Sequence, residues 1–364
     1  MHAFLEPYYS GSHKYFADGL RNSFPEKIRL FTLPGRHWKW RMHGSAVTFA
    51  EMMEKSGEDF ETIISSSLTD TALLKSLVLP KMPKSRFVTY FHENQLAYPW
   101  SEDDKEPSKT DMHYAFINFT SALVSDLSLF NSEFNKESFF AALEGFLRSF
   151  PDNRLTAKID EAYKRSKVLY PGVNMIPKVE NKNSKPLKIL WNHRWEYDKD
   201  PVTFFETMFR LKEAGISFQL VVLGEEKSTS PEIFRTAREK LKDEIISFGY
   251  AENYEEYKKI VAGCDILPVT SKHEFFGISV LEAASAGVIP ILPERLSYPE
   301  IFPPEKFGEL FYEEGKLFDA VKKFAEDPDF SLGKKISERV HEFDWFHFKQ
   351  NAENLLFFNF RIKR

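Results

Sequence analysis

The feature that most constrains this chain is a regular alternation of short β-rich runs with amphipathic helical stretches, and that alternation starts twice. In the first half, strand-like runs at 1–6, 27–33, 60–65, 86–91, 125–131 and 166–170 are separated by helical patterns near 13–23, 45–55, 68–78, 111–123 and 133–147. Strands divided by helices do not pair as hairpins, so each half should build a parallel sheet. After the loop Tyr170-Pro171-Gly172 and a polar stretch at 178–188, the pattern restarts at 187–191 and continues through 218–223, 245–248, 265–269 and 288–292. The 364 residues exceed the roughly 250–300 at which one core stops growing. The expected fold is therefore α/β, two Rossmann-like doubly wound domains facing a central cleft, with boundaries at 1–172 and 173–342. An aromatic-rich helix at 343–364 should return to cover the first domain or else form an oligomer interface.

Composition narrows the function classes. Cys264 is the only cysteine, which excludes an internal disulfide framework and thiolate-rich metal sites and fits a reducing, cytoplasmic compartment. No basic segment leads into an apolar run at the start, and no apolar run reaches about 18 residues, so neither a targeting peptide nor a membrane span is expected. A net charge of −5 lacks the basic footprint of a dedicated nucleic-acid binder, so any contact with RNA has to be local. No obligate protein partner is expected.

The chemistry-bearing residues gather at the ends of the expected strands, where open α/β sheets bind ligands. In Lys272-His273-Glu274-Phe275-Phe276-Gly277-Ile278-Ser279-Val280-Leu281-Glu282, two carboxylates stand eight positions apart. If Gly277 opens a helix, the amides of Phe276, Gly277 and Ile278 offer donors to an anion, Glu274 lies in the preceding loop, and Glu282 is placed to accept hydrogen bonds from a ribose diol. Beyond 187–191, Arg194 can bind two phosphate oxygens at once and Lys199 adds a compact charge, so a diphosphate held there requires no metal. The run 86–91 leads into His92, Glu93, Asn94 and Gln95, four hydrogen-bonding side chains in a row. The turn at Gly11 and Ser12, before His13 and Lys14, lacks the dinucleotide glycine triplet and the Walker lysine pattern, which leaves nicotinamide and P-loop readings poorly supported. Between 27 and 50, Lys27, Arg29, Arg36, Lys39 and Arg41 occur without any Asp or Glu, and Trp38 and Trp40 lie among them. Cations with aromatic faces suit RNA, although tryptophans two apart would equally line one side of an edge strand.

The Glu274 and Glu282 pair, with its glycine and small-residue helix, resembles the Glu-x7-Glu donor motif of glycosyltransferase family 4. The motifs Gly11-Ser12-His13-Lys14, Thr32-Leu33-Pro34, Trp38-Lys39-Trp40-Arg41 and Phe91-His92-Glu93-Asn94-Gln95-Leu96-Ala97-Tyr98-Pro99, with Asn192-His193-Arg194-Trp195-Glu196 later, resemble the tRNA-queuosine mannosyltransferases over nearly the whole chain. That resemblance implies a GT-B fold and retaining transfer of mannose from GDP-mannose to the cyclopentenediol of queuosine in the anticodon of an aspartate tRNA. No cofactor or metal beyond the nucleotide-sugar is implied. Gly11 and Ser12 should approach the donor phosphate, His92 and Glu274 should position the sugar, and Arg194 and Lys199 should stabilise the departing diphosphate. The base should be read by main-chain groups near Gly249 and Tyr250. His13, Lys14, Arg36, Trp38, Lys39, Trp40, Arg41, Glu93, Asn94 and Gln95 are the residues placed toward the tRNA acceptor. A family 4 hexosyltransferase acting on a small molecule or glycan, a nucleotide-sugar epimerase, and a non-catalytic RNA- or nucleotide-binding module remain open alternatives.

Overall fold

The computed structural model describes residues 1–97, 112–179 and 185–357; Tyr98 and Pro99 of the first-domain motif, and 358–364 of the aromatic tail, lie outside them. Two units form, one from Met1–Gly172 with the segment that starts at Trp345, the other from Val173–Asp344. Each contains a six-stranded sheet whose registered pairs are all parallel.

In the first unit β1 (His2–Tyr9), β2 (Ile28–Pro34), β3 (Thr62–Ser66), β4 (Arg86–Phe91), β5 (Leu127–Phe130) and β6 (Ser166–Val168) lie in the order β2-β1-β3-β4-β5-β6. In the second, β7 (Leu187–Trp191), β8 (Phe218–Leu223), β9 (Ile245–Gly249), β10 (Ile266–Pro268), β11 (Ile289–Pro293) and β12 (Phe311–Tyr312) lie in the order β12-β11-β10-β7-β8-β9. The winding reverses between β1 and β3 and again between β7 and β10. At such a reversal the connecting segments leave in opposite directions, and a crevice opens outside the carboxyl ends of the strands. The segments after β1, β7 and β10 are thereby marked for ligands before any side chain is considered.

Both faces of each sheet are covered, so the central strands are apolar throughout rather than alternating. Along β1, Phe4 packs with Phe16, Leu20 and Phe348 on one face, while Ala3 and Leu5 pack with Phe49, Met53 and Leu74 on the other. The helix Trp345–Leu356 belongs to this first core through Phe348, Ala352 and Leu356. Burying Phe348 and Leu356 contributes roughly 3–6 kcal/mol. The same helix fits because Gly19 and Gly172 leave room for the Trp345 indole: a Cβ on Gly19 would lie 1.9 Å from Trp345 Cη2, and one on Gly172 2.3 Å from its Cδ2. In the second unit Trp191 is fully buried, with the rings of Phe204, Phe205 and Phe234 around it. No helix among the described residues is long and apolar enough to cross a membrane.

One local expectation is corrected. The helix expected near 45–55 begins at Trp38 and runs to Ser56, so Trp38 and Trp40 sit in its first turn rather than on an edge strand. Two positions apart on a helix point in different directions, which separates the two rings. Trp38 packs with Tyr114, ring centroids 5.2 Å apart, against the small core around Met42 and Ile117, whereas Trp40 is 65% exposed.

Candidate active site

The second unit gathers charge at its reversal. Immediately after Lys199 the chain turns sharply: Asp200 takes a left-handed conformation, its carboxylate caps the helix Pro201–Glu213 by accepting from Thr203 N, and Pro201 supplies a preset first helical position. That turn points Lys199 back toward the segment after β10. Its main-chain carbonyl accepts from Thr270 Oγ1 at 2.7 Å, and Asp198 O accepts from Lys272 N at 2.8 Å, so the two segments are tied together. The buried ammonium then lies 3.1 Å from Glu274 Oε2, 3.1 Å from Asp198 Oδ2 and 2.7 Å from the carbonyl of His273. Lys199 donates hydrogen bonds to Glu274 and to the His273 carbonyl, while Asp198 faces it as an ion pair without a hydrogen bond. Arg194, largely exposed, reaches Glu196 at 2.8 Å and Asp198 at 3.6 Å.

Electrostatics follow from this packing. Burial by itself would raise the Glu274 carboxyl, but the charge and hydrogen bond of Lys199, with His193 and Arg194 beyond, overcome it and hold the group at about 2. Burial, then Lys199, lowers both His193 and His273 to about 4, so both imidazoles are neutral near pH 7. Gly277 adopts φ +94° at the start of the helix Ile278–Ser285, a conformation that strains a residue with a side chain, and a Cβ there would also crowd Tyr298. The Phe276 amide, expected to face an anion, donates to Glu274 Oε1 at 3.4 Å.

Glu282, on the first turns of that helix, is buried beneath two tyrosines that the sequence reading missed. Tyr254 donates to Oε1 at 2.8 Å and Tyr257 to Oε2 at 3.3 Å. Burial pushes the carboxyl up to about 7 despite both hydrogen bonds. Asn192 joins this cluster to the segment after β7, donating to Tyr257 Oη at 3.2 Å and to the Ser279 carbonyl at 2.8 Å. Gly249 ends β9 with φ +118°, and Tyr250 beside it is 80% exposed.

In the first unit the reversal holds a different group. Glu6, fully buried near the end of β1, accepts from Tyr8 N at 2.8 Å, faces His13 Nδ1 at 3.1 Å, and lies 3.7 Å from His92 Nε2. His92 therefore turns Nε2 inward, and burial, then the neighbouring His13, pushes its imidazole well below 6.5. The expected contact of His92 with a sugar is not made through Nε2 in this conformation. Asn94 is also turned inward: it donates to Asn135 Oδ1 at 2.8 Å and accepts from Ala97 N at 2.8 Å, bonds that tie the segment after β4 to the helix Glu133–Arg148. Its side chain holds the fold, where the sequence reading placed it toward the acceptor. Glu93 and Gln95 stay partly accessible and bond to each other at 3.1 Å. Gly11, Ser12, Lys14 and Arg36 are exposed, Lys14 pairing with Asp18 at 2.6 Å, while Lys39 and Arg41 are half-buried.

Comparison with known proteins decides the family. Residues 2–173 match the family described as tRNA-queuosine alpha-mannosyltransferase N-terminal, and residues 173–342 match Glycosyl transferases group 1. A tRNA-queuosine alpha-mannosyltransferase of Drosophila melanogaster is 37% identical over 83% of this chain and 81% of its own. The chain belongs to the tRNA-queuosine alpha-mannosyltransferase family. It is a glycosyltransferase. Among solved structures, sucrose-phosphate synthase from Thermosynechococcus elongatus superposes with a TM-score of 0.72 at 15% identity over 98% of both chains. The Anabaena HepE structure in complex with UDP gives 0.66 at 13% identity over 98% of this chain and 99% of that one. At those identities the likeness shows the fold, which is GT-B. Within this glycosyltransferase the Lys199, Glu274 and Asp198 cluster, Arg194 and the Glu282 cluster all belong to the unit that matches the group 1 family. Asp198 was missed, although it stands next to Lys199 in the sequence. Glu6 and the two tyrosines gave no comparable signal.

Proposed function

We propose that the chain transfers mannose from GDP-mannose to the cyclopentenediol of queuosine in the anticodon of aspartate tRNA, with retention of configuration, in the cytoplasm. The observation that carries the reading is the buried Lys199 ammonium shared by Glu274 and Asp198 at the β7/β10 reversal, with Arg194 beside it. Such a constellation stabilises negative charge that develops on a departing phosphate, and it is preorganised because the fold already fixes each member. In this reading the nucleotide-sugar diphosphate takes the place of one carboxylate around Lys199 and draws in Arg194, so no metal ion is needed at the diphosphate. Glu274 orients the sugar. A queuosine hydroxyl attacks the anomeric carbon from the face the diphosphate leaves: the new C–O bond forms as the bond to phosphate oxygen breaks, and that oxygen takes the hydroxyl proton.

Glu282 receives the ribose hydroxyls once Tyr254 and Tyr257 give way, and Tyr250 flanks the base. The first unit supplies the RNA contacts, for which the exposed Trp40 and Arg36 are suited as a stacking surface and a phosphate partner. The test is a donor panel: GDP-mannose, GDP-glucose, UDP-glucose and UDP-galactose, each incubated with queuosine-containing aspartate tRNA, followed by mass spectrometry of the digested nucleosides. Hexosylated queuosine from GDP-mannose alone supports the reading. Equal transfer from a UDP-sugar overturns the donor assignment, and hexose on an acceptor other than queuosine overturns the acceptor.

A further inference from the structure

The first unit contains a buried carboxylate that no lysine or arginine among the described residues approaches within an ion-pair distance. Glu6 is fully buried, and the groups that face it within 4 Å as possible cations are two imidazoles, His13 and His92. Oε1 accepts from Tyr8 N and Ser66 Oγ and faces His13 Nδ1, but Oε2 has no hydrogen-bond partner, and neither has Nε2 of His92, whose side chain is 9% exposed. Two buried polar atoms facing each other without a bond call for an explanation, since each unmade bond costs roughly 1–3 kcal/mol. At 3.7 Å the pair is too far apart for a direct hydrogen bond. Two ligands of one tetrahedral ion, bound at about 2.0–2.2 Å, stand about 3.4 Å apart. The separation of 3.7 Å between Glu6 Oε2 and His92 Nε2 is close to that span, and one ligand atom from each of Glu6, His13 and His92 lies within 4.8 Å of the other two.

We propose that Glu6, His13 and His92 bind a zinc-class divalent cation. Two imidazoles and one carboxylate suit zinc, cobalt or nickel and not the oxygen-seeking magnesium or calcium. The ion supplies the positive charge the buried carboxylate lacks, engages both unbonded atoms, and pins the segments after β1 and β4 to each other. This departs from the sequence reading, which placed no metal in the chain, and it does not rest on the transfer reaction.

The experiment uses the full chain, stripped with chelator, dialysed against micromolar Zn2+ and counted for bound zinc by mass spectrometry. It is repeated with Glu6→Gln and His92→Asn, each checked for native circular dichroism in zinc-free buffer. The expected result is one zinc per wild-type chain, a Tm raised by Zn2+, and at least a tenfold loss of affinity in each folded variant. A Co2+ titration of the wild type, read by its visible d–d bands, needs no variant and is expected to show a tetrahedral nitrogen and oxygen ligand set. Wild type that retains no zinc, or variants that bind it as wild type does, overturns the proposal, as does an octahedral cobalt spectrum.

Discussion

Replacing Lys199 with methionine removes one buried charge and almost no volume. In the wild type its ammonium lies 3.1 Å from both Glu274 and Asp198, and Lys199 is the foremost influence that lowers Glu274 against the effect of burial. Holding Glu274 at about 2 instead of 4.5 corresponds to about 3 kcal/mol of stability at neutral pH. Because the folded pKa is depressed, that contribution is complete above pH 4.5 and is lost as the pH falls toward 2. In Lys199→Met burial is opposed only by the weaker influence of His193 and Arg194, so the carboxyl rises and its ionisation opposes folding. Removing one partner of a buried pair costs roughly 3–5 kcal/mol, or roughly 6–20 °C in Tm for a unit of this size. Differential scanning calorimetry from pH 4 to pH 8 should show the second unit's transition lowered by that amount at pH 8, with the deficit narrowing toward pH 4 as the raised Glu274 carboxyl of the variant takes up its proton. Transfer should fall by roughly 100-fold or more. A variant that melts like the wild type at pH 8, or whose deficit is the same at pH 4, would refute the argument.

Glu282 has the opposite sign. Its folded pKa of about 7 means that stability present below pH 4.5 is lost as the pH rises through 7, so Glu282→Gln should melt higher than wild type at pH 8, by up to about 3 kcal/mol, while binding GDP more weakly. Calorimetry and titration of GDP check the two halves separately. Asn94→Ala should lower the first unit's Tm, by about 1–3 kcal/mol for the partners it strands, and leave GDP affinity unchanged. Trp40→Ala should weaken tRNA binding by roughly 5- to 100-fold with unchanged melting, whereas Trp38→Ala should destabilise the first unit; filter binding and thermal melts distinguish them.

The two α/β halves were legible because their central strands are apolar and evenly divided by helices, and 86–91, 187–191 and 218–223 coincide with β4, β7 and β8. The start of the helix at Trp38 was hidden because its first turn, Trp38-Lys39-Trp40-Arg41, shows an alternation that also fits a strand. Side-chain direction was the other gap. Four polar residues from His92 to Gln95 look alike in sequence, and only packing turns His92 and Asn94 inward while Glu93 and Gln95 stay accessible. Lys199 meeting Glu274 is a contact between strand ends 75 positions apart, legible only through motif resemblance. Tyr254 and Tyr257 reach Glu282 across 28 and 25 positions from another helix, with no periodicity to announce them. Glu6 is one carboxylate within a strand, and only the fold shows which imidazoles surround it.

The central claim is transfer of mannose to queuosine by charge held at Lys199 and Glu274. Its most direct test measures mannosyl-queuosine formed from GDP-mannose on aspartate tRNA that carries queuosine, against the same tRNA with guanosine at that position, for wild type, Lys199→Met and Glu274→Gln. The account predicts product only on queuosine-containing tRNA and only with wild type, while both variants keep a native circular dichroism spectrum. Product on the guanosine-containing tRNA, or wild-type turnover by either variant, would contradict it.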